Sequence, residues 1–246
     1  MSRFDMKQII KTAVVLAGGE GSRLRPLTNN IPKPMIKILG KPILQWIIEW
    51  LTKYEISNII IGVAYKKESV MNYFKDGSKF NCSIKYNTHS VEGETGEGFR
   101  LAISRYVDDD IFLAMNGDEI SNFNINDFVK YHVKYNPIAT LAVKNPKSNF
   151  GVIKIDKNGQ ILSFKEKPVL SNILVSIGIY IFNRKILNYL PLKGKIENTT
   201  FPSLVKLKLI RAFNVKEDWL TINTIKDVEN VENFLRNKEK IGKWLR

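Results

Sequence analysis

Short apolar runs and amphipathic stretches alternate along the first half of the chain. Thr12–Leu16 (TAVVL), Asn58–Val63 (NIIIGV) and residues 111–115 (IFLAM) are largely apolar, which is the pattern of strands buried on both faces of a parallel sheet. Residues 41–53, 67–75 and 98–106 have the apolar spacing of helices, and residues 83–86 are predicted to be extended. Strands that alternate with helices predict right-handed crossovers and a mostly parallel sheet covered on both faces.

The pattern changes in the second half of the chain. Residues 151–155 and 160–166 flank Asp156-Lys157-Asn158-Gly159, which is typical of a hairpin turn. A longer strand is predicted at residues 174–182, and helices at 184–189, 200–208 and 224–238. We therefore predict one domain over residues 1–246. Its fold class is a doubly wound, mostly parallel, Rossmann-like α/β sheet in three layers (α/β/α), with an antiparallel insertion.

The composition is that of a folded protein with an excess of positive charge. Of the 246 residues, 44% are hydrophobic and 25% are charged, and the formal net charge is +14. Such an excess attracts polyanions. The lysines are spread along the whole chain, however, so a solvated, lysine-rich surface explains most of the charge. Because the sequence contains no recognised nucleic-acid-binding module, we do not expect nucleic acid as a partner.

The sequence also limits the compartment. Cys82 is the single cysteine, which excludes an internal disulfide and a cysteine zinc cluster and is compatible with a reducing cytoplasm. No apolar run is long enough to cross a bilayer, and the first residues do not have the pattern of a signal peptide. We therefore expect a cytoplasmic protein without a membrane partner, and the formation of a homo-oligomer stays open.

A glycine loop follows the first predicted strand directly. Gly18, Gly19 and Gly21 lie at the carboxyl end of this strand, where open α/β sheets bind ligands. Glycines let backbone N–H groups approach a phosphate chain, and the guanidinium of Arg23 suits phosphate oxygens. The loop lacks the Gly-Lys-Ser/Thr of a P-loop, and Leu24 replaces the third glycine of a dinucleotide-binding fingerprint. Taken alone, the loop is also compatible with a purely structural turn.

The stretch from Leu16 to Pro34 resembles the signature of the sugar-1-phosphate nucleotidyltransferases, also called NDP-sugar pyrophosphorylases. Its glycine loop is followed by R-L-R-P-L-T and by P-K-P. The resemblance implies a nucleotide-binding half at about residues 10–120 and a sugar-binding half at about 121–235. It also implies that the nucleotide is bound by Leu16, Ala17, Gly18, Gly19, Gly21, Ser22, Thr95, Gly96 and Gly117.

The same resemblance assigns catalytic roles to Arg23 and Lys33. Two fixed cations beside a triphosphate can stabilise the charge that moves onto departing pyrophosphate. Lys33 lies between Pro32 and Pro34. Two locked φ angles argue against a flexible surface lysine at this position.

An aspartate follows the third apolar run, in Asn116-Gly117-Asp118. A carboxylate at this edge of the sheet suits Mg²⁺ that bridges substrate phosphates, although an Asn-Gly turn with a solvated aspartate would have the same sequence. The family has its metal-binding aspartate in this element. The resemblance therefore implies that Asp118 is a Mg²⁺ ligand.

The predicted sugar-phosphate site comes from the second half of the chain. Gly151 and the E-K-P stretch with Glu166 and Lys167 resemble residues of the family that contact the sugar, its hydroxyls and its phosphate. The strand around Ser176 (VSIGIY) resembles the N-A-G-I-Y strand of the family, with Ser176 in place of the asparagine. This departure leaves the contact at Ser176 and the identity of the sugar open.

Two further departures bear on the site. Glu94 and Glu97 lie in the run that borders the nucleotide base in the family, where they either contact the ligand or point away. Thr221 replaces the aspartate of the metal motif W-x-D-I-G-T, whereas Ile222-Asn223-Thr224 resembles a variant in which an Asp or Asn binds the metal. Asn223 is thus the second predicted Mg²⁺ ligand. The alternative is that it only caps the final helix.

The resemblance implies an enzyme that transfers a nucleoside monophosphate from a nucleoside triphosphate to a sugar 1-phosphate and releases pyrophosphate. A hexose 1-phosphate is favoured, as mannose with GTP or glucose with UTP or dTTP. The phosphate oxygen that attacks is already anionic at neutral pH, so no general base is required, and His89 and His132 receive no role. The two glutamates and Thr221 leave a second hypothesis, a non-catalytic regulatory subunit that binds sugar nucleotides on the same fold.

Overall fold

The computed structural model describes residues 10–236 as short strands and helices in alternating order. The strands are β1 (Thr12–Leu16), β2 (Lys37–Ile38), β3 (Lys41–Pro42), β4 (Asn58–Val63), β5 (Ser83–Thr88), β6 (Ile111–Asn116), β7 (Glu119–Ser121), β8 (Ala139–Lys144), β9 (Val152–Ile155), β10 (Ile161–Lys165), β11 (Val175–Asn183), β12 (Ile210–Asn214) and β13 (Trp219–Thr221). The α-helices are α1 (Ile43–Lys53), α2 (Lys67–Phe74), α3 (Glu94–Tyr106), α4 (Ile125–Tyr135), α5 (Thr200–Lys206) and α6 (Ile225–Arg236). Short 3₁₀ helices lie at Ser22–Leu24, Lys33–Met35, Ser78–Phe80 and Arg184–Asn188.

Seven strands form the central sheet, in the order β12-β8-β11-β6-β1-β4-β5. Strands β6, β1, β4 and β5 run parallel, and β12 runs parallel to β8. Strand β11 is antiparallel to both of its neighbours, β6 and β8. The predicted mostly parallel, doubly wound sheet is confirmed.

Burial on both faces of this sheet gives the three layers that the sequence predicted. Successive side chains of a strand point to opposite faces. Ala13 and Val15 accordingly share a core with buried residues of α1, α2, α4 and α6, whereas Val14 belongs to a second core with residues of α3 and α5. Because both faces of the strand are covered, β1 has a continuous apolar sequence.

Helix α3 begins earlier than predicted, at Glu94 rather than at residue 98. Its first turns contain Gly96 and Gly98, which made this stretch look like a loop. Both glycines allow close packing. A Cβ at Gly96 would lie 2.5 Å from a backbone oxygen of the 191–194 loop, and one at Gly98 would lie 3.1 Å from the side chain of Leu16. Tertiary contacts therefore override the low helix propensity of glycine here.

Other boundaries differ by smaller amounts. Helix α1 begins after Pro42, and the element predicted at residues 184–189 is a 3₁₀ helix. The final helix is described to Arg236, so the predicted end at residue 238 lies outside the described residues. The sequence interpretation missed α4, β8 and β12. Among residues 10–236, no helix combines the length and the apolar composition that a membrane span requires.

The predicted hairpin forms a separate two-stranded sheet of β9 and β10. Asp156 closes its turn by accepting hydrogen bonds from the backbone N–H groups of residues 158 and 160. One face of the hairpin carries Ile153, Ile155, Ile161 and Phe164, which are 50–65% exposed. We expected the antiparallel part of the fold to be this hairpin. The antiparallel strand of the main sheet is instead β11, and the hairpin is separate from that sheet.

Candidate active site

The glycine loop and Asp118 lie at the same edge of the central sheet. Leu16, at the end of β1, pairs with Asn116 of β6, so the loops that follow the two strands leave the sheet side by side. The N–H of Gly117 donates to the carbonyl oxygen of Leu16 at 2.7 Å, and a Cβ at position 117 would lie 2.8 Å from that oxygen. A glycine is therefore needed at this crossing. It brings Asp118 to the mouth of the glycine loop.

A cleft of about 420 Å³ opens at this edge. Its lining consists of Leu16, Gly18, Gly19, Lys33, Pro34, His89, Val91, Glu94, Thr95, Asn116, Asp118 and Lys195. The predicted site residues among them are Leu16, Gly18, Gly19, Lys33, Thr95 and Asp118. A concave cleft at the carboxyl ends of parallel strands is typical of a ligand site in an open α/β sheet.

Three other predicted nucleotide-binding residues shape the loop instead of lining the cleft. Ala17 is buried, and its N–H donates to the carbonyl oxygen of Gly62 at 2.7 Å. Gly21 has a left-handed backbone (φ 65°), and a Cβ there would lie 2.8 Å from the Cβ of Lys33. Ser22 begins a 3₁₀ helix. These residues turn the chain so that it passes close to Lys33.

Lys33 lies in the wall of the cleft, at the start of a 3₁₀ helix that follows Pro32. Its side chain is only 10% exposed, and its Nζ lies 2.7 Å from Oδ2 of Asp118. A buried ammonium is costly unless a charge of opposite sign compensates it. Asp118 supplies that charge. The structure thus places the predicted catalytic lysine against the predicted metal ligand.

A small two-stranded sheet brings Asn223 to the same point. Strand β7 follows Asp118 directly, and β13 ends two residues before Asn223. The two strands pair antiparallel, with Thr221 opposite Glu119. The start of β7 and the end of β13 therefore lie together, and Oδ1 of Asn223 accepts a hydrogen bond from Nζ of Lys33 at 3.3 Å.

Thr224 and Asp227, not Asn223, cap the final helix. The backbone N–H groups of Asn223 and Thr224 donate to Oδ2 of Asp227 at 2.9 and 2.8 Å, and the N–H of Asp227 donates back to Oγ1 of Thr224 at 3.3 Å. This reciprocal pattern is a capping box. The alternative role of Asn223 as a helix cap is thereby wrong, and its side chain is left for the site.

The donor set at this point fits a divalent cation. Oxygens of Asp118 and Asn223 both face the ammonium of Lys33, and a guanidinium nitrogen of Arg23 lies 3.5 Å from the same Asn223 oxygen. Mg²⁺ takes oxygen ligands and is commonly held by one or two protein groups together with substrate phosphates. Over residues 10–236, no cluster of three or more His, Cys, Asp or Glu could hold a metal by itself. An ion here would share its coordination with a bound ligand.

Glu119, the next residue after Asp118, is a second carboxyl group near the cleft. Burial raises the pKa of Glu119 to about 8, and the charge of Asp118 adds to this effect. The indole N–H of Trp219 donates to Glu119 at 2.7 Å, and this bond and Lys33 act in the opposite direction on the pKa. The raised pKa favours the protonated form of Glu119 at neutral pH. The carboxyl group in direct contact with the Lys33 ammonium is that of Asp118, at 2.7 Å.

The two unexpected glutamates differ in their placement. Glu97 accepts hydrogen bonds from the hydroxyl and the backbone N–H of Ser90 at 2.5 and 3.1 Å, and the hydroxyl contact lowers its pKa. Glu97 thus stabilises the turn before α3 and is absent from the cleft lining. Glu94 does line the cleft, and it forms an ion pair with Lys195 at 3.5 Å. A lysine in the same wall therefore offsets the negative charge that Glu94 adds.

Thr95 and Gly96 tie α3 to the loop before α5. The Thr95 hydroxyl donates to Glu197 and accepts from the N–H of Ile196, both at 3.0 Å. The N–H of Gly96 donates to the carbonyl oxygen of Gly194 at 2.8 Å. Thr95 lines the cleft, whereas Gly96 is buried behind it. Both residues hold this wall in place.

His89 lines the cleft although no role was predicted for it. Its Nδ1 lies 2.9 Å from the carbonyl oxygen of Ser90, a contact in which Nδ1 is the donor because a carbonyl oxygen only accepts. In the part of the chain that the structure describes, the buried Nε2 has no hydrogen-bond partner. The signal that could have found His89 is its position directly after β5, at the carboxyl edge of the sheet.

The predicted sugar-phosphate residues form a second group, on the hairpin and on β11. A Cβ at Gly151 would lie 3.2 Å from Oε2 of Glu166, so these two positions are adjacent. Nζ of Lys167 lies 3.7 Å from Oε1 of Glu166, and both side chains are exposed. Ser176 accepts a weak hydrogen bond from the N–H of Gly178 at 3.4 Å. In the described part of the chain, the cleft lining includes none of these four predicted residues.

Comparison with known proteins decides the family. A family model described as nucleotidyl transferase matches residues 12–240. The chain belongs to the nucleotidyl transferase family. The resemblance inferred from the glycine loop and the P-K-P segment is thereby confirmed.

Curated relatives of this nucleotidyl transferase are longer than the chain. UTP–glucose-1-phosphate uridylyltransferase of Synechocystis is 34% identical over 235 residues, which cover 87% of this chain and 61% of that protein. Bifunctional protein GlmU of Methanocaldococcus jannaschii is 38% identical over 234 residues, which cover 92% of this chain and 54% of that protein. The chain thus spans about half to three fifths of the length of these relatives.

A solved structure supports the fold of this nucleotidyl transferase. The crystal structure of HddC from Yersinia pseudotuberculosis superposes with a TM-score of 0.72 and is 24% identical. The match covers 92% of this chain and 100% of that one. The similarity confirms the predicted α/β fold class.

Proposed function

We propose that this nucleotidyl transferase transfers a nucleoside monophosphate from a nucleoside triphosphate to a sugar 1-phosphate and releases pyrophosphate. The observation that supports this most is the contact of Lys33 with Asp118 in the wall of the cleft beside the glycine loop, with Oδ1 of Asn223 3.3 Å from Nζ of Lys33. Cationic groups and oxygen ligands are the groups that phosphoryl transfer requires, because its catalysis rests on positioning and on charge stabilisation.

The glycine loop and the two cations would bind the triphosphate. Gly18 and Gly19 line the cleft without side chains that could obstruct phosphate oxygens. An oxygen of the sugar phosphate attacks the α-phosphorus in line, and pyrophosphate leaves. Lys33 and Arg23 stabilise the negative charge that collects on pyrophosphate. The attacking oxygen is already anionic at neutral pH, so the reaction needs no general base.

Asp118 and Asn223 would hold Mg²⁺ together with the phosphates. When bound, the ion neutralises charge on the phosphate oxygens and orients them. Lys33 compensates the charge of Asp118, as the distance of 2.7 Å between the two groups indicates. Lys33 therefore exchanges its carboxylate partner for a phosphate when the nucleotide binds.

The second half would bind the sugar phosphate through Gly151, Glu166, Lys167 and Ser176. A carboxylate can accept hydrogen bonds from sugar hydroxyls, and an ammonium suits a phosphate dianion. We favour a hexose 1-phosphate. The relative from Synechocystis is named for UTP and glucose 1-phosphate, which supports glucose with UTP ahead of mannose with GTP or glucose with dTTP.

The proposal is tested by turnover. The full chain is screened with ATP, CTP, GTP, UTP and dTTP against glucose and mannose 1-phosphates, with detection of pyrophosphate and of the nucleotide sugar. We expect Mg²⁺-dependent product with at least one pair. Asp118→Ala should lower kcat by about 10²–10³-fold, because it removes a metal ligand and leaves Lys33 uncompensated. Asp127→Ala, at an exposed aspartate of α4, is the matched control and should retain activity.

Two outcomes would contradict the assignment. Ligand binding without turnover in the whole panel would favour the regulatory-subunit hypothesis. Full activity of Asp118→Ala would remove Asp118 from the metal site.

A further inference from the structure

The side-chain amide of Asn223 is oriented from two sides. Its Nδ2 donates to Oγ1 of Thr221 at 2.6 Å. Its Oδ1 faces Lys33 and Arg23, whose side chains have donors and no acceptor. The donors of Lys33 and Arg23 therefore face the amide oxygen, and the amide nitrogen lies on the hydroxyl of Thr221.

We propose that Thr221 is a positioning residue for the divalent cation. Its hydroxyl accepts a hydrogen bond from the Asn223 amide nitrogen and so keeps the amide oxygen directed at the metal position beside Asp118. This inference rests on the proposed Mg²⁺ site. An amide offers a cation one oxygen, and its NH₂ end repels it, so an asparagine ligand needs a partner that sets its orientation. A carboxylate would not need one, because both of its ends are oxygens.

Thr221 is the partner that stays in place when ligands bind. It lies at the end of β13, opposite Glu119 of β7, so its backbone is fixed by strand pairing. The other contacts of the Asn223 amide come from Lys33 and Arg23, which we expect to turn to the phosphates. Among the contacts that the structure describes, the hydrogen bond to Thr221 is then the one that still orients the amide.

Direct measurement of Mn²⁺ binding tests this role. Mn²⁺ is titrated into the full chain in the presence of inorganic pyrophosphate, which engages Lys33 and Arg23, and the protein-bound complex of Mn²⁺ and pyrophosphate is measured by the enhancement of water-proton relaxation. Thr221→Val keeps the shape of threonine but removes the acceptor, and we expect binding to weaken about five- to tenfold, the effect of one hydrogen bond. Thr221→Ser keeps the hydroxyl and should bind as the parent does. Thr221→Ala is measured beside the valine variant, and thermal unfolding shows which variants are folded.

A double-mutant cycle separates positioning from a purely structural role. In an Asn223→Asp background, Thr221→Val should change Mn²⁺ affinity by less than about twofold, because a carboxylate presents an oxygen in either orientation. A structural role of Thr221 predicts the same loss in both backgrounds. Turnover adds a second readout: Thr221→Val should raise the Mg²⁺ concentration needed for half-maximal rate, while kcat at saturating Mg²⁺ recovers.

Three results would overturn the inference: unchanged Mn²⁺ affinity in Thr221→Val, equal losses in the parent and Asn223→Asp backgrounds, or no Mn²⁺ binding by the parent chain. Failure of the proposed function is a separate result, since it requires the parent chain to lack turnover with every substrate pair. Mn²⁺ binding still decides the role of Thr221 in that case.

Discussion

In the two halves of this nucleotidyl transferase, the predicted site residues lie on elements that differ in how deeply they are buried. In the first half, the loops with Gly18, Lys33 and Asp118 follow strands that are buried on both faces. In the second half, Gly151 and Glu166 lie directly before and after the strands of a two-stranded sheet whose apolar face is exposed. Rigid elements hold catalytic groups in place, whereas elements with few buried contacts open easily. The comparison indicates a rigid charged centre at the edge of the central sheet and a more adaptable hairpin in the second half.

Asn223 shows that the difference is not simply one of sequence order. It lies far along the chain, yet β13 joins it to β7 and so to the rigid edge of the sheet. The strand or loop that holds a residue, and not its place in the sequence, thus decides to which part of the site the residue belongs.

The largest expected difference between the central sheet and the hairpin is the effect of a substitution on the free energy of unfolding. Phe182 of β11 is fully buried, with ring centroids of Phe99 and Phe112 within 5.7 and 6.1 Å. Phe182→Ala should lower the free energy of unfolding by about 3–5 kcal/mol, because it leaves a cavity in the core. Phe164→Ala, at a side chain of the hairpin that is 65% exposed, should cost less than about 1 kcal/mol. Urea unfolding measures both, and equal losses would show that the hairpin is part of the main core.

The next largest effect should be the loss of catalytic rate when Lys33 of the charged centre is replaced. Lys33→Ala should lower kcat by about 10²–10³-fold, because a fixed cation beside the departing pyrophosphate is lost. Lys37→Ala is the matched control, since Lys37 is exposed in β2 four positions further on. Steady-state kinetics with the best substrate pair measures both variants. Equal activities would remove Lys33 from the proposed chemistry.

Acid should destabilise the packing between α4 and β8. His132 is 1% exposed, its Nδ1 lies 2.8 Å from Oγ1 of Thr140, and desolvation lowers its pKa from 6.5 to about 4. A pKa below that of the unfolded chain contributes stability that is complete above about pH 6.5 and is lost as the pH falls towards 4.

The loss attributable to His132 should reach about 3 kcal/mol over this interval, because a tenfold difference in proton affinity between the folded and unfolded chains corresponds to about 1.4 kcal/mol. The free energy of unfolding of the parent and of His132→Gln is measured between pH 7 and 4. The variant should be less sensitive to pH in this window. Parallel curves would show that His132 titrates alike in the folded and unfolded chains.

The smallest of these effects should come from the proposed sugar site on the exposed hairpin. Glu166→Ala should raise KM for the sugar phosphate about tenfold with little change in KM for the triphosphate, which is the loss of a few hydrogen bonds at an exposed site. Lys154→Ala, at an exposed position of β9, is the control. An equal increase of both KM values would place Glu166 outside a separate sugar site.

The sequence allowed much of the first half to be predicted and less of the second. Strands β1 and β4 have the predicted bounds, because strands covered on both faces have continuous apolar sequences that end where burial ends. Strand β8 and helix α4 were missed, although Asn124 caps α4 and accepts a hydrogen bond from the N–H of Asn126. The roles assigned to Gly151, Glu166, Lys167 and Ser176 stay predictions.

Local pattern alone thus determined the buried parallel strands of the first half, the glycine loop that follows β1 and the resemblance to the nucleotidyl transferase family. Only the tertiary structure decided which polar groups meet. In the folded chain Glu97 accepts a hydrogen bond from Ser90, and Thr224 and Asp227 cap the final helix. Asn223 lies against Lys33. The reason is physical: burial leaves a periodic signal in neighbouring residues, whereas the pairing of β7 with β13 joins positions 119 and 221 through contacts that no local pattern contains.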